Sequence, residues 1–247
     1  MLSVSCTTKL DLYNFLIFTT EVFIKKRQKI TPMVQYDKGV KQMKFIRVWS
    51  YSLANFLSTS LNESHQKKGI YYYGFQVLIG GIIKFMMLAV VSLILGAFLP
   101  TMVLMVSFSL LRLVTGGYHM DTFGRCAIVS ITMFVIGGVL SRYTYQYVNF
   151  IIPMILILLA FIAELYCIIK YSPRDNPNRP ITNKKEITKF RKLAVFNLLM
   201  LEIINIILIL YNANMYSLSV TFGIGTAAFI ISPVGYKFFD FINGKKT

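Results

Sequence analysis

The sequence predicts an all-α, polytopic membrane protein with about six transmembrane helices and an N-terminal amphipathic helix at the membrane interface. Hydrophobic residues make up 55% of the 247 residues and charged residues only 15%, whereas soluble domains carry roughly 25% charged residues. Several apolar runs approach the length of about 20 residues that a helix needs to cross a bilayer. Lysine and arginine concentrate outside these runs, which is typical of the cytoplasmic parts of membrane proteins.

One amphipathic segment and six apolar runs follow each other along the chain. The amphipathic segment has apolar side chains at helical spacing, and it is expected in the membrane interface or on the inner rim of the bundle: Phe45, Trp49, Leu53, Phe56, Leu57 and Leu61. The predicted spans are residues 76–99, 101–115, 127–145, 148–169, 193–211 and 216–236. Pro100 is expected to end the first span. Residues 1–42 form a basic N-terminal extension, and residues 43–247 a single integral-membrane domain.

The net charge of +16 is distributed as a membrane topology requires. Basic residues cluster in the N-terminal region, in residues 170–192 and at the C-terminus. Four crossings and then two separate these regions, so we expect the N-terminus, the C-terminus and the loop at residues 116–126 on the cytoplasmic side. The expected partners of this charge are anionic lipid headgroups rather than nucleic acid, because no basic nucleic-acid-binding motif is present.

Two ionisable residues, Lys84 and Glu164, fall inside predicted spans. Charge in hydrocarbon is costly, so such residues are candidates for function. Both lie within about two turns of the cytoplasmic end, where their side chains could instead reach toward the interface or pair with each other. We favour this structural interpretation over a functional one.

The short connection RLVTGGYHMDTFGRC, residues 112–126, is unusually polar for its position between two apolar runs. A cysteine becomes a strong nucleophile as its thiolate, which requires a nearby base or positive charge. Cys126 has His119 as a candidate base, with Arg125 and a helix N-terminus as electrostatic support. The three cysteines, Cys6, Cys126 and Cys167, are too few and too scattered for a disulfide framework or a metal site.

The spacing of His119 and Cys126 predicts a break in the helix. Seven residues of continuous helix would separate the two by a rise of about 10.5 Å, whereas a base must lie within about 2.6–3.2 Å of the group it deprotonates. The residues that would let the backbone turn ahead of His119 or break the helix after it are Gly116, Gly117, Asp121 and Gly124.

The pattern of Arg112, Gly117, His119 and Cys126 resembles the signature of the accessory gene regulator B (AgrB) family, the membrane cysteine endopeptidases that process quorum-sensing propeptides. The six-span hydrophobicity, the amphipathic entry helix and the loop SPRDNPNRPI, residues 172–181, are also similar to that family. The resemblance covers the chain from about Met43 to the C-terminus. Because family members usually begin near the amphipathic helix, it implies that Met43 is the start and that residues 1–42 are not native.

The resemblance implies a role for each residue of the motif. Cys126 is the expected nucleophile and His119 its base, with Arg112, Gly116 and Gly117 in supporting positions. It further implies a homodimer that acts on a small AgrD-like propeptide without a cofactor.

The implied reaction passes through a thioester on Cys126, and a cysteine of the substrate then closes a thiolactone ring. From the residues alone, Asp121 is a candidate to orient the His119 imidazole.

Two other interpretations of the sequence stay open. A membrane transporter or peptide exporter would use Lys84 and Glu164 as its functional pair, although no inverted repeat is evident. A structural membrane component would need no polar motif beside Cys126.

Overall fold

The computed structural model describes residues 43–62, 65–118, 120–147, 151–174 and 184–244. Within these ranges the chain is all-α, as predicted, and forms eight α-helices: α1 (Lys44–Ser60), α2 (His65–Ile94), α3 (Phe98–Thr115), α4 (Phe123–Thr144), α5 (Ile151–Tyr171), α6 (Lys184–Leu210), α7 (Asn214–Ile231) and α8 (Pro233–Asn243). Helices α2 to α7 are long and apolar enough to cross a membrane, which confirms the six predicted spans. The basic extension, residues 1–42, lies outside the described residues.

The helices fall into two compact units, divided within α2 between Ile79 and Gly80. In the first unit, α1 buries a narrow face whose members recur every four residues: Ile46, Ser50, Ala54 and Ser58. Most of the other large apolar side chains of α1 are exposed, Trp49 at 66% and Phe56 at 70%. Lys68 of α2 donates a hydrogen bond of 2.6 Å to Oδ1 of Asn55. The exposed apolar face agrees with the interfacial alternative for this helix.

The second unit is organised around α7, which packs against α3, α4, α5 and α6. Its core side chains come from four helices: Leu111, Val114, Ile168, Ala194, Leu198, Leu201, Val220, Ile224 and Ala227. Small residues allow close approach, as is usual where helices pack in a membrane. A Cβ added at Gly223 would lie 2.8 Å from the carbonyl oxygen of Leu104, so α7 meets the backbone of α3 directly.

Pro100 does not end the first span, contrary to the prediction. Helix α2 ends earlier, at Ile94, and the chain turns at Gly96, whose φ is +65°. Pro100 instead lies in the first turn of α3. The amides of a first helical turn have no acceptor within the helix, so the missing N–H of proline costs little there.

Three further boundaries differ from the predicted ones, and the first is the start of the first span, whose helix begins at His65 rather than at residue 76. The fifth span begins at Lys184 rather than at residue 193, because lysine, arginine and glutamate are good helix formers and extend α6 through the basic segment. The sixth span does not run to residue 236. It ends at Ile231, and α8 begins after Ser232, whose Oγ accepts a hydrogen bond of 3.0 Å from the amide of Gly235. Pro233 occupies the first position of α8, where its fixed φ favours a new helix.

The close packing of α7 on α3 generates a test with a matched control. Gly223→Ala places a methyl group against the Leu104 carbonyl and 2.9 Å from Cβ of Ser107, and we expect a loss of about 1–3 kcal/mol of stability. Gly225→Ala, two residues along the same helix, meets no atom within 4 Å and should be neutral or stabilising. Thermal unfolding in detergent measures both variants. Unfolding of Gly223→Ala at or above the wild-type temperature would contradict the packing.

Candidate active site

A helix break separates the two halves of the polar connection, as the spacing predicts. Helix α3 ends at Thr115 and α4 begins at Phe123. Thr122 caps α4, its hydroxyl oxygen accepting a bond of 3.4 Å from the amide of Arg125, and the first backbone bond of α4 joins the amide of Cys126 to the carbonyl of Thr122 at 3.1 Å. Cys126 therefore lies in the first turn of a membrane-spanning helix, with its side chain partly buried.

The side chain of Lys84 reaches Cys126 from α2. Its Nζ atom donates a hydrogen bond of 3.2 Å to Sγ of Cys126 and lies 5.0 Å from the centre of the Phe123 ring. Among the described residues of the second unit, no other cation donates a hydrogen bond to this sulfur. The ionisable residue that the sequence marked within the first span therefore belongs to the same cluster as the candidate nucleophile.

Lys84 and Glu164 do not pair with each other, so this alternative for the two residues was wrong. Glu164 is fully buried in α5, and among the described residues neither of its carboxyl oxygens has a hydrogen-bond partner. The two residues that a transporter would use as a pair therefore share no hydrogen bond. Within the described ranges, no three His, Cys, Asp or Glu side chains form a group that could hold a metal ion.

Arg112, in the last turn of α3, holds the first half of the connection in place. Its guanidinium donates one hydrogen bond of 2.5 Å to the carbonyl of Gly116 and another of 2.5 Å to the carbonyl of Tyr118. Gly117, between these two, has a φ of +125°, and a Cβ there would collide with the Arg112 guanidinium. Glycine at 117 is thus required both by the backbone conformation and by the arginine.

The residues after α5 fix the same connection from another side. The amide of Arg174 donates a bond of 2.9 Å to the carbonyl of Thr115, and Arg174 forms an isolated β-bridge with Gly116. Arg191 of α6 holds this segment by donating to the carbonyl of Ser172 at 3.0 Å. Gly116, with a φ of +73°, leaves no room for a Cβ beside the Arg174 carbonyl. The SPR stretch of the predicted loop is therefore part of the site.

Helix α8 clamps Tyr118, the residue immediately before His119. The Tyr118 hydroxyl donates to Oδ1 of Asp240 at 2.8 Å and accepts from the side-chain amide of Asn243 at 2.6 Å. The Tyr118 ring stacks on Phe239 and meets Tyr236 edge-on. Hydrogen bonds thus hold the hydroxyl group of Tyr118 and aromatic contacts hold its ring, so that α8 fixes the connection just before His119.

Tyr236 links α8 to the segment after α5. The Arg174 guanidinium lies 4.0 Å from the centre of the Tyr236 ring, a separation at which a cation is attracted to the face of an aromatic ring. Burial raises the pKa of the Tyr236 phenol, and the hydrogen bond and charge of Arg174 oppose that shift. The phenol therefore stays neutral near pH 7, and the contact with Arg174 is one of a cation with a neutral ring.

The two remaining candidate residues are placed less fully. His119 lies outside the described residues, although Tyr118 before it and the buried Met120 after it are described. Asp121 is exposed at the surface. Their roles as base and as orienting group stay predictions.

Sequence reasoning missed most of the residues that hold the connection. Tyr118 and Arg174 lie in segments that the sequence singled out, but their contacts could not be foreseen, because they join segments more than 50 residues apart. The one usable signal was Pro233, which follows a serine and fits the first position of a helix.

Comparison with known proteins identifies the family of the chain. Residues 50–231, nearly three quarters of the sequence, match the family model of accessory gene regulator B, AgrB. The chain belongs to the AgrB family. The matched residues include the whole connection from Arg112 to Cys126. Family membership and the six apolar helices together make the chain a multi-pass membrane protein.

Relatives within the AgrB family are distant but cover most of the chain. A putative AgrB-like protein 2 of Clostridium perfringens is 25% identical, over 74% of this chain and 89% of its own length. The accessory gene regulator protein B of Staphylococcus intermedius is 30% identical, over 68% and 81%. That of Staphylococcus aureus strain MW2 is 26% identical, over 74% and 92%. No solved structure matches the chain.

The contact between Arg112 and Gly117 generates a test of how the connection is held. Gly117→Ala forces a side chain into a left-handed conformation and against the guanidinium, at a cost of about 1–3 kcal/mol. We expect hydrogen exchange of the amides in residues 115–122 to accelerate by about tenfold or more. Gly124→Ala is the control, because a Cβ there meets no atom within 4 Å. Equal exchange in the two variants would show that Arg112 does not fix this backbone.

Proposed function

We propose that this chain is a membrane-embedded cysteine endopeptidase that cleaves a small signal-peptide precursor in quorum sensing and allows its cyclisation to a thiolactone peptide. The observation that carries the proposal is the setting of Cys126, a partly buried thiol in the first turn of α4 beside an ammonium group. Family membership supports the quorum-sensing role, since the relatives are named accessory gene regulator proteins. The motif residues that the sequence singled out all belong to this connection.

The first half of the reaction forms an acyl-enzyme. Cys126 passes its proton to His119, and the sulfur attacks the carbonyl carbon of the scissile peptide bond. A C–S bond forms as the C–N bond breaks, and His119 returns the proton to the leaving amine. The C-terminal fragment of the precursor departs, and the N-terminal part stays bound to Cys126 as a thioester.

The second half releases the product as a ring. A cysteine thiol of the bound peptide passes its proton to His119 and attacks the thioester carbonyl, and the bond to the sulfur of Cys126 breaks so that this sulfur leaves as a thiolate. One thioester replaces another, so the exchange involves little change in free energy, and water is the competing nucleophile. A thiol held partly buried at the end of a membrane helix limits the access of water and favours the ring.

We further propose that the site faces the cytoplasm. The α3–α4 connection, the segment after α5 and α8 lie together, because Arg174 bonds to Thr115 and Asp240 to Tyr118. These three parts of the chain are also the ones flanked by basic residues, which favours the cytoplasmic side. Their charge suits a substrate with an acidic tail. A membrane-impermeant maleimide should label a lone cysteine at Lys184→Cys only in inside-out vesicles, and labelling in intact cells would contradict this orientation.

Cleavage of a synthetic AgrD-like propeptide tests the proposed reaction. In liposomes with anionic lipid, Cys126→Ala should reduce cleavage by at least about 1,000-fold, since removing a nucleophile abolishes the covalent route. Cys167→Ala is the control, because that thiol is buried in α5 away from the connection and should leave the rate within about twofold. His119→Ala should also lose activity. Cleavage by Cys126→Ala at the wild-type rate would exclude the mechanism.

A further inference from the structure

We propose that Lys84 is a further catalytic residue, whose ammonium group holds the sulfur of Cys126 as a thiolate before attack and again as it leaves. The inference rests on the proposed function, and it adds a residue from a different helix to the motif in the α3–α4 connection. The contact between Nζ and the reacting sulfur, 3.2 Å long, is its starting point.

The charge of Lys84 is not neutralised by another described group. Among the described residues its side chain makes two interactions, the hydrogen bond to Sγ of Cys126 and the contact with the Phe123 ring. The buried carboxyl groups of Glu164 and Glu202 have no hydrogen-bond partner within the described part of the chain, so neither binds the ammonium. The positive charge is therefore available to the sulfur.

The two arginines of the connection, Arg112 and Arg125, are engaged elsewhere. The guanidinium of Arg112 donates to the carbonyls of Gly116 and Tyr118. Arg125, which the sequence indicated as support for the thiol, is exposed and donates to the carbonyl of Asn243 at 3.0 Å. Both arginines hold backbone, and Lys84 is the cation that contacts the sulfur.

Helix packing sets the position of Lys84 along α4. Lys84 lies on one face of α2, made of residues spaced four apart, and the other members of this face are buried: Gly80, Leu88 and Ser92. A Cβ at Gly80 would lie 3.0 Å from the Phe123 ring, so α2 meets the start of α4 closely one turn before Lys84. Leu88, one turn after Lys84, joins the core cluster of Leu104 and Phe134. The ammonium is thereby held level with the first turn of α4.

Beside the Lys84 ammonium, a thiolate is a stronger hydrogen-bond acceptor than a neutral thiol. An ammonium group next to a neutral thiol has only a weak acceptor and keeps an uncompensated charge, which is costly at low dielectric. A thiolate compensates that charge and accepts a strong, charge-assisted hydrogen bond. The proton of the thiol moves to His119, which then carries it to the leaving amine. In the second half of the reaction Lys84 stabilises the same thiolate as the leaving group.

The rate at which Cys126 is alkylated tests the inference without any substrate. A chain with Cys6→Ala and Cys167→Ala retains Cys126 as its one cysteine. Its thiolate displaces iodide from iodoacetamide and forms a C–S bond, so the rate follows the thiolate population. At pH 7 we expect Lys84→Met to react at least about tenfold more slowly and Lys84→Arg to stay within about threefold of the parent. Lys68→Met is the control, since Lys68 contacts Tyr51 and Asn55.

Three outcomes would overturn the role of Lys84. The first is alkylation of Lys84→Met at the parent rate. The second is equal slowing of Lys84→Met and Lys84→Arg, which would show that the positive charge at residue 84 does not set the rate. If Lys84→Met does not elute as a folded protein in detergent, Lys84→Gln replaces it. The third measure uses the chain that retains Lys84 and compares its alkylation by anionic iodoacetate and by neutral iodoacetamide. A fixed cation beside Cys126 should make the ratio of the iodoacetate rate to the iodoacetamide rate higher than it is for free cysteine. A preference equal to or below that of free cysteine would overturn the role.

These results are separable from the proposed function. A normal alkylation rate in Lys84→Met removes Lys84 from the mechanism and leaves cleavage by Cys126 intact. If Lys84→Met is alkylated more slowly but Cys126→Ala still cleaves the propeptide, the interaction of Lys84 with the thiolate is supported and the proposal that Cys126 is the nucleophile of an endopeptidase is rejected.

Discussion

The paired hydrogen bonds from Arg112 to the carbonyls of Gly116 and Tyr118 are the interaction on which the rest of the site depends. A partly buried arginine at the end of a membrane helix is stabilised when the protein supplies acceptors for its N–H groups. The guanidinium finds them in the backbone of the next turn of chain and so fixes its path. Gly117 lies inside this turn because no side chain fits beside the guanidinium.

The fixed turn connects parts of the sequence that lie far apart. Arg174 adds a backbone bond to Thr115, and Asp240 of α8 binds the hydroxyl of Tyr118. Helix α4 then starts afresh and carries Cys126 in its first turn, where Lys84 of α2 contacts the sulfur. Polar groups near the end of membrane helices are stabilised by partners within the protein, and for the cations of this site most partners are backbone carbonyls or aromatic faces.

The sequence predicted those features that depend on local properties. Six spans follow from hydrophobic length, and the break between His119 and Cys126 follows from the rise of a helix. Pro100 was misinterpreted because proline is compatible both with ending a helix and with the first turn of the next one. Helix α8 was hidden because its composition continues the apolar run of α7. The partner of Lys84 could not be predicted, since it depends on how α2 packs against α4.

Whether Cys126 forms a thioester with the substrate is measured most directly by the intact mass of the chain after a short incubation with the propeptide, with and without hydroxylamine. We expect an added mass equal to the N-terminal part of the precursor, present on the wild type, removed by hydroxylamine and absent from Cys126→Ala, because a thioester is the expected intermediate. Cleavage of the propeptide with no adduct on the wild type, or an equal adduct on Cys126→Ala, would contradict the assignment of Cys126 as the nucleophile.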